Sequence, residues 1–392
     1  MKVLLLAPQP FFEVRGTPIN VRLMAESLAE LGHQVDILAY PYGEDVVIPN
    51  CAIHRVAKIP GLPKAPIGPS LVKIINDMLM APKAVWMLAF GEYDVIHGVE
   101  EAGIMAWALA KVFPVPYIFD MDSHMTDQLR YSGFLGNRLA LALVQRLESA
   151  AIAGAASVIT VCPYLTNIAE KYTSREKVHQ VEDIPQSFPR PPEELTPASL
   201  RAELDIPYNA QVVLYTGNLE KYQGVDLALE TAAEVAQSMP DARFVIAGGD
   251  AGRVESYRTV ARRLGVGQAV IFTGARPLAH MPVFHEMADI LLSPRLGGTN
   301  TPLKIYTYLA TGKPVLATDL PTHTQLLTKK VAMLAKPEKM EYAAALVLLL
   351  GDKTLREEIG LSGRRFVEEY YNHASFKRKM ESAYKAVDVT NG

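Results

Sequence analysis

Ile290-Leu-Leu-Ser-Pro-Arg-Leu-Gly-Gly-Thr-Asn-Thr-Pro-Leu-Lys-Ile-Tyr-Thr-Tyr-Leu-Ala-Thr-Gly-Lys-Pro-Val-Leu-Ala-Thr318 holds one complete strand–helix–strand unit. Ile290 to Ser293 is a short apolar run, the mark of a strand buried on both faces. In the loop after it, Gly297 and Gly298 permit strained backbone and close approach of a ligand. Thr299, Asn300 and Thr301 are helix-capping types and Pro302 suits a first helical turn, so a helix is expected over 302–311. Gly312 stops it and Pro314 opens the next strand.

The same alternation runs outward in both directions. Apolar runs predict strands at 2–7, 34–39, 95–97, 117–119 and 158–161, then at 212–216, 243–247 and 270–273. Helical spacing fills 18–31, 101–112, 137–154, 224–238, 252–264 and 278–287. Between the two series, Ile184 to Pro207 is crowded with prolines and acidic residues, a boundary signal. The reading is α/β: two tandem Rossmann-like, doubly wound domains with a cleft expected between them. Residues 1–190 form the N-terminal domain and 191–372 the C-terminal one; a last helix, 373–389, is read as packing back on the first.

At 392 residues the chain has room for two full cores. Thirty-nine Lys and Arg against 42 Asp and Glu give a net charge of −3, which argues against a dedicated nucleic-acid binder. Cys51 and Cys162 alone cannot build a disulfide framework or a cysteine zinc site, so a reducing cytoplasm is the expected home. Met1 to Pro8 is one strand long with no cleavage site behind it. Met78 to Phe90, the longest apolar stretch, is broken by Pro82 and Lys83 and falls short of the ~20 residues a membrane span requires. Ile67 to Phe90 reads either as a core helix pair with solvated lysines, the preferred reading, or as a segment skimming a membrane through Lys73 and Lys83.

Three loops could carry chemistry. Gly16 precedes a helix start after the first strand, where free N–H groups can hold an anion, although the spacing is not that of a dinucleotide fingerprint. Tyr215 to Asp226 is a strand-to-helix loop in which Lys221 suits a phosphate and Gly224 allows close backbone approach. The richest is Ser293 to Pro314: cap residues stand beside Arg295 and Lys304, and Lys304 shares a helix face with Thr307.

Asn300-Thr-Pro-Leu-Lys-Ile-Tyr-Thr-Tyr-Leu-Ala-Thr-Gly-Lys-Pro-Val315 resembles the donor-site helix of family 4 glycosyltransferases with the GT-B fold. Gly32-His-Gln-Val35, Asp94-Val-Ile-His97, Tyr215-Thr-Gly217, Gln223-Gly-Val-Asp226 and Phe272-Thr-Gly274 follow in that family's order, so the resemblance spans nearly the whole chain. It implies a nucleotide-sugar donor on the C-terminal domain and a glycan or lipid-linked acceptor on the N-terminal one. It also implies retention of anomeric configuration with no metal and no cofactor, in polysaccharide or glycolipid synthesis. The family's paired Glu fall on Thr299 and Thr307, and its diphosphate-clamping Arg and Lys fall on Asn218 and Gln223. Lys221, Arg295 and Lys304 would supply that charge instead, with Gly298, Asn300 and Thr301 at the helix start and Arg276 bordering the base. A variant branch of the family is similar in its Tyr-Gln-Gly and Asn-Thr-Pro segments. The catalytic set implied is Asp122, at the position of the family's acceptor-side His, with His124 two residues on and Lys304 on the donor side. Two other readings stand beside this one: a sugar-nucleotide epimerase using Asp122, Glu100 and Glu101, and a degenerate binder that does not turn over.

Overall fold

The computed structural model describes residues 1–13, 16–66, 68–134 and 137–390. The chain divides into two compact units, Met1–Asp183 with His373–Gly392, and Ile184–Asn372. In the first, the order is β1 (Lys2–Pro10), α1 (Gly16–Glu30), β2 (Gln34–Tyr40), β3 (Cys51–Arg55), α2 (Leu71–Phe90), β4 (Val95–Val99), α3 (Ala102–Leu109), β5 (Tyr117–Met121), α4 (Met125–Ser132), α5 (Arg138–Gly154), β6 (Ser157–Thr160), α6 (Pro163–Ala169) and β7 (Val178–Gln180). In the second it is α7 (Pro197–Glu203), β8 (Val212–Thr216), α8 (Val225–Ser238), β9 (Arg243–Ala247), α9 (Ala251–Arg263), β10 (Val270–Gly274), α10 (Met281–Met287), β11 (Ile290–Ser293), α11 (Leu303–Ala310), β12 (Val315–Thr318), α12 (Pro321–Thr324), β13 (Met333–Ala335), α13 (Lys339–Gly351) and α14 (Lys353–Tyr370). A final helix, α15 (His373–Thr390), belongs to the first unit.

Each unit is built on one parallel sheet, ordered β3-β2-β1-β4-β5-β6-β7 in the first and β10-β9-β8-β11-β12-β13 in the second. Helices cover both faces, which is why strands such as Leu4-Leu-Leu6 and Val213-Leu-Tyr215 are wholly buried and read as unbroken apolar runs. In both sheets the strand order reverses at one place, between β1 and β4 and between β8 and β11. Loops leaving the carboxyl ends of those neighbours diverge, and ligand crevices form there.

α15 is seated by period 3.6: Phe376, Met380, Ala383, Tyr384 and Val387 are buried, and the Tyr384 hydroxyl lies 2.8 Å from His97 Nδ1 on β4. The proline-rich stretch is part of the second unit. Thr196 caps α7 through a capping box with Ser199, and the Gln186 N–H donates to Thr307 Oγ1 at 3.1 Å.

The expected helix pair at 67–90 is one continuous helix, α2, with Pro82 inside it; Ile67 itself lies outside the described residues. Its lysines are not solvated. Lys73 pairs with Glu101 at 2.5 Å and Lys83 donates to the Arg55 carbonyl. One apolar face, Met80, Ala84, Met87 and Leu88, packs into the core, while Leu71, Met78, Trp86 and Phe90 are exposed. Among the described residues no helix is long and apolar enough to cross a membrane.

Candidate functional site

At the switch point of the second sheet, two loops meet: 217–224 after β8 and 294–302 after β11. The Leu296 N–H donates to the Tyr222 carbonyl at 2.8 Å, and Gly224 lies directly against Pro294. Gly224 has φ +74°, and a Cβ there would sit 1.8 Å from the Pro294 oxygen. Gly224→Ala therefore combines left-handed strain with a backbone clash and should destabilise the second unit by about 2–4 kcal/mol. Urea titration measures this; a loss under 1 kcal/mol would mean the loops do not meet as described.

Lys304, on the first turn of α11, reaches back into this junction. Its Nζ donates to Gln223 Oε1 at 3.2 Å and lies 4.0 Å from the centre of the Tyr215 ring. Among the described residues no carboxylate lies within ion-pair distance of it. Burial, and then the neighbouring Arg295 charge, hold the Lys304 pKa well below the ordinary lysine range. Arg295 is itself only 8% exposed. Its Nε donates to the Gly297 carbonyl at 2.6 Å, its Nη2 to Asn300 Oδ1 at 3.0 Å, and its guanidinium stands over the Tyr222 ring. Gly298, at φ +101°, makes room for it: a Cβ there would lie 2.0 Å from Nη2. Thr301 Oγ1 is buried beside this loop with no hydrogen-bond partner. Two neighbouring cations, one buried and one half-buried, among neutral dipoles have the chemistry to take an anion.

Asn300 is not a helix cap. Its carboxamide oxygen is taken by Arg295, the helix begins at Leu303, and Pro302 occupies the N-cap position without a side-chain bond. The other residues named from the sequence are dispersed. Thr299 offers its carbonyl to Gln325 Nε2 at 3.1 Å. Asn218 makes a local turn, accepting from the Glu220 N–H, and Lys221 is solvent-exposed. The Thr307 hydroxyl is occupied by Gln186, and Arg276 pairs with Glu203 at 2.6 Å. Gly16 opens α1 in the first unit.

In the first unit the strand ends carry carboxyl groups. Asp120 is fully buried on β5, with Oδ2 3.4 Å from His97 Nε2 and Oδ1 without a partner. Asp122 accepts from Asn20 Nδ2 at 3.2 Å. Burial first, then Asp120, Glu100 and Asp183, push its pKa well above the carboxylate range. Burial raises Glu100 against the pull of Lys73. It brings Asp183 and Asp77 up to about 7 each, with Asp120 and Glu101 respectively adding to the rise. His124 stands at the start of α4 with Nδ1 2.9 Å from Asp127 and Nε2 3.3 Å from Glu148, so both ring nitrogens face carboxylates. Glu148 also accepts from the Met125 and Thr126 N–H groups, satisfying the helix start that His124 does not cap. Among the described residues no group of three or more His, Cys, Asp or Glu is arranged to hold a metal ion.

Sequence reasoning missed Tyr215 as the ring under Lys304, and also Asp183, Glu148 and His323. The first was hidden because a strand-end Tyr reads as core; the others belong to no motif, and partners such as Asp120 for Asp183, His124 for Glu148 and Ser293 for His323 are distant in sequence.

Two family models match the chain, one described as a glycosyl transferase 4-like domain over residues 15–182, the other as glycosyl transferases group 1 over 210–352. A phosphatidyl-myo-inositol mannosyltransferase of Mycobacterium leprae is 24% identical over 375 residues, 94% of this chain and 93% of that protein. Among solved structures, sucrose-phosphate synthase from Thermosynechococcus elongatus superposes with a TM-score of 0.77 at 21% identity, covering 99% of each chain. Anabaena HepE, solved in complex with UDP-glucose, superposes with a TM-score of 0.73 at 16% identity, covering 98% of this chain and 99% of that one.

Proposed function

Because this chain belongs to the family 4 glycosyltransferases with the GT-B fold, we propose that it moves a sugar from a nucleotide-sugar donor to a hydroxyl acceptor with retention of anomeric configuration. The observation that carries this reading is the pairing of half-buried Lys304 with buried Arg295, with no carboxylate on Lys304. A donor diphosphate placed there would draw a proton firmly onto Lys304 and meet charge-assisted bonds from both side chains. As the sugar–phosphate bond breaks, negative charge grows on the leaving diphosphate, and these two groups neutralise it without reorganising. The leaving diphosphate takes the acceptor's proton on the face it has just vacated, so no protein base is required.

Asp122 fits a different task from a base. Kept protonated, it can donate a hydrogen bond to a sugar or acceptor hydroxyl. The M. leprae relative's name supports a lipid-linked or polyol acceptor, and the outward apolar face of α2 supports contact with a lipid surface. The UDP-glucose complex of HepE supports a nucleotide-sugar donor.

The test is a panel of nucleotide sugars with neutral glycan and lipid acceptors, following free nucleotide by chromatography and the product anomer by NMR. Nucleotide should appear only when acceptor is present, with the donor's anomeric configuration kept and no loss on adding a chelator. Acceptor-independent release, an inverted product, or activity restored by manganese after chelation would each contradict the reading.

A further inference from the structure

Behind Arg295 lies a set of polar side chains that the proposed reaction does not touch. His323, on α12, is fully buried. Its Nε2 is 2.8 Å from Ser293 Oγ at the end of β11, and its Nδ1 is 2.9 Å from Thr318 Oγ1 and 3.0 Å from the Thr318 carbonyl at the end of β12. Thr318 Oγ1 in turn donates to the Arg295 carbonyl at 2.6 Å.

The donor count fixes the protons on Thr318 and on His323 Nδ1. Thr318 has one hydroxyl hydrogen, and the Arg295 carbonyl can only accept, so that hydrogen goes to Arg295. Thr318 Oγ1 is then an acceptor, and His323 must carry its proton on Nδ1, shared with the Thr318 carbonyl. Nε2 is left as an acceptor and takes the Ser293 hydroxyl. With His323 neutral the bonds run one way, Ser293 to His323 to Thr318 to Arg295. Burial, opposed by the Thr318 carbonyl and helped by the charges of Arg295 and Lys304, lowers the His323 pKa to about 3, so this form holds across the physiological range.

The same short segment grips the loop at two more points. Thr322 Oγ1 donates to the Asn300 carbonyl at 2.8 Å and Gln325 Nε2 to that of Thr299 at 3.1 Å. The loop's Gly297 and Gly298 give it no side-chain packing of their own, so its shape depends on these bonds.

We infer that Ser293, His323 and Thr318 form a buried hydrogen-bond relay whose task is to position Arg295 for the donor diphosphate, with Thr318 and His323 as positioning residues. The inference rests on the reading of the Lys304–Arg295 pair as the phosphate site. Two variants of Thr318 test it. Thr318→Val is nearly isosteric and removes both hydroxyl bonds; Thr318→Ser keeps them. His323→Ala is a third, more disruptive variant, and the Val/Ser pair stands without it. The first readout needs no ligand. Hydrogen exchange of amides in 295–301 should speed up about five- to tenfold in Thr318→Val and His323→Ala, stay near wild type in Thr318→Ser, and leave β8 and β9 unchanged. The second is binding of UDP, GDP and inorganic pyrophosphate by calorimetry, where Thr318→Val should weaken whichever probe binds wild type by a similar factor and Thr318→Ser should restore it.

Unchanged exchange in Thr318→Val overturns the relay, whatever the donor. Faster exchange with unchanged anion affinity overturns the positioning role and leaves a structural link only. Wild type that binds none of the three probes overturns the phosphate-site reading, and the positioning role with it.

Discussion

Lys304→Met is expected to make the unliganded second unit more stable and at the same time to weaken its anion binding ten- to a hundredfold. Lys304 is half-buried, faces Gln223 and the Tyr215 ring, and stands near a second cation. Replacing a charge of this kind by an apolar side chain of similar length commonly stabilises by about 1–3 kcal/mol. For a unit of this size that raises the melting temperature by about 3–10 °C. The pH dependence carries the sign. The folded pKa of Lys304 lies below its unfolded value, so between the two the unfolded chain binds the extra proton and stability rises with pH. The Met variant should lose that slope. Its affinity for nucleoside diphosphate should fall ten- to a hundredfold, from lost charge-assisted bonds worth about 1.5–3 kcal/mol. Calorimetry and thermal melts at pH 7 and 9 read both halves. A less stable variant would show that Lys304 serves the fold rather than a ligand.

The first unit is expected to show the opposite slope. Asp183 and Asp77 are brought to about 7, and Asp122 and Glu100 are raised with them. Between about pH 4 and 7 the folded state therefore binds more protons than the unfolded chain, and stability falls as pH rises through that window. For a group moved to about 7, the loss from pH 5 to pH 8 is about 2–3 kcal/mol. Asp183→Asn should remove one such share while keeping the shape. Denaturant titrations at pH 5, 6.5 and 8 on wild type and Asp183→Asn would decide it. Equal slopes for the two proteins would mean that Asp183 is ionised in the fold across the range and that the cluster is not protonated as described.

The architecture was legible because parallel strands covered on both faces leave unbroken apolar runs, and Gly and Pro punctuate them. Edge strands β3, β7 and β13 were not, since they are only five, three and three residues long and carry no sustained apolar run. Strand β1 runs on to Pro10 past the expected Ala7, because its pairing with β2 resumes after an irregularity, at Pro10 and Tyr40. At the candidate site, Arg295 and Lys304 could be picked out as cations placed against the polarity of a helix start. Their neighbours could not. Nothing in sequence spacing says that Gln223 accepts a hydrogen bond from Lys304, that the Gln186 N–H donates to Thr307, or that Asn300 turns from capping to Arg295. The first joins loops of different strands at the switch point, the second joins the proline-rich stretch to α11, and the third folds one loop on itself; none is written in local spacing.

On the proposed mechanism, Lys304 is held for a donor diphosphate. Its ε-amino group can be followed directly by selective 15N labelling and NMR titration, with Lys304→Met supplying the assignment. With nucleoside alone the titration should match that of the free protein. With whichever of UDP or GDP binds best, the apparent pKa should climb back toward the ordinary lysine value, because the anion favours the charged form. A Lys304 signal that titrates identically with nucleoside and with nucleoside diphosphate would contradict the account.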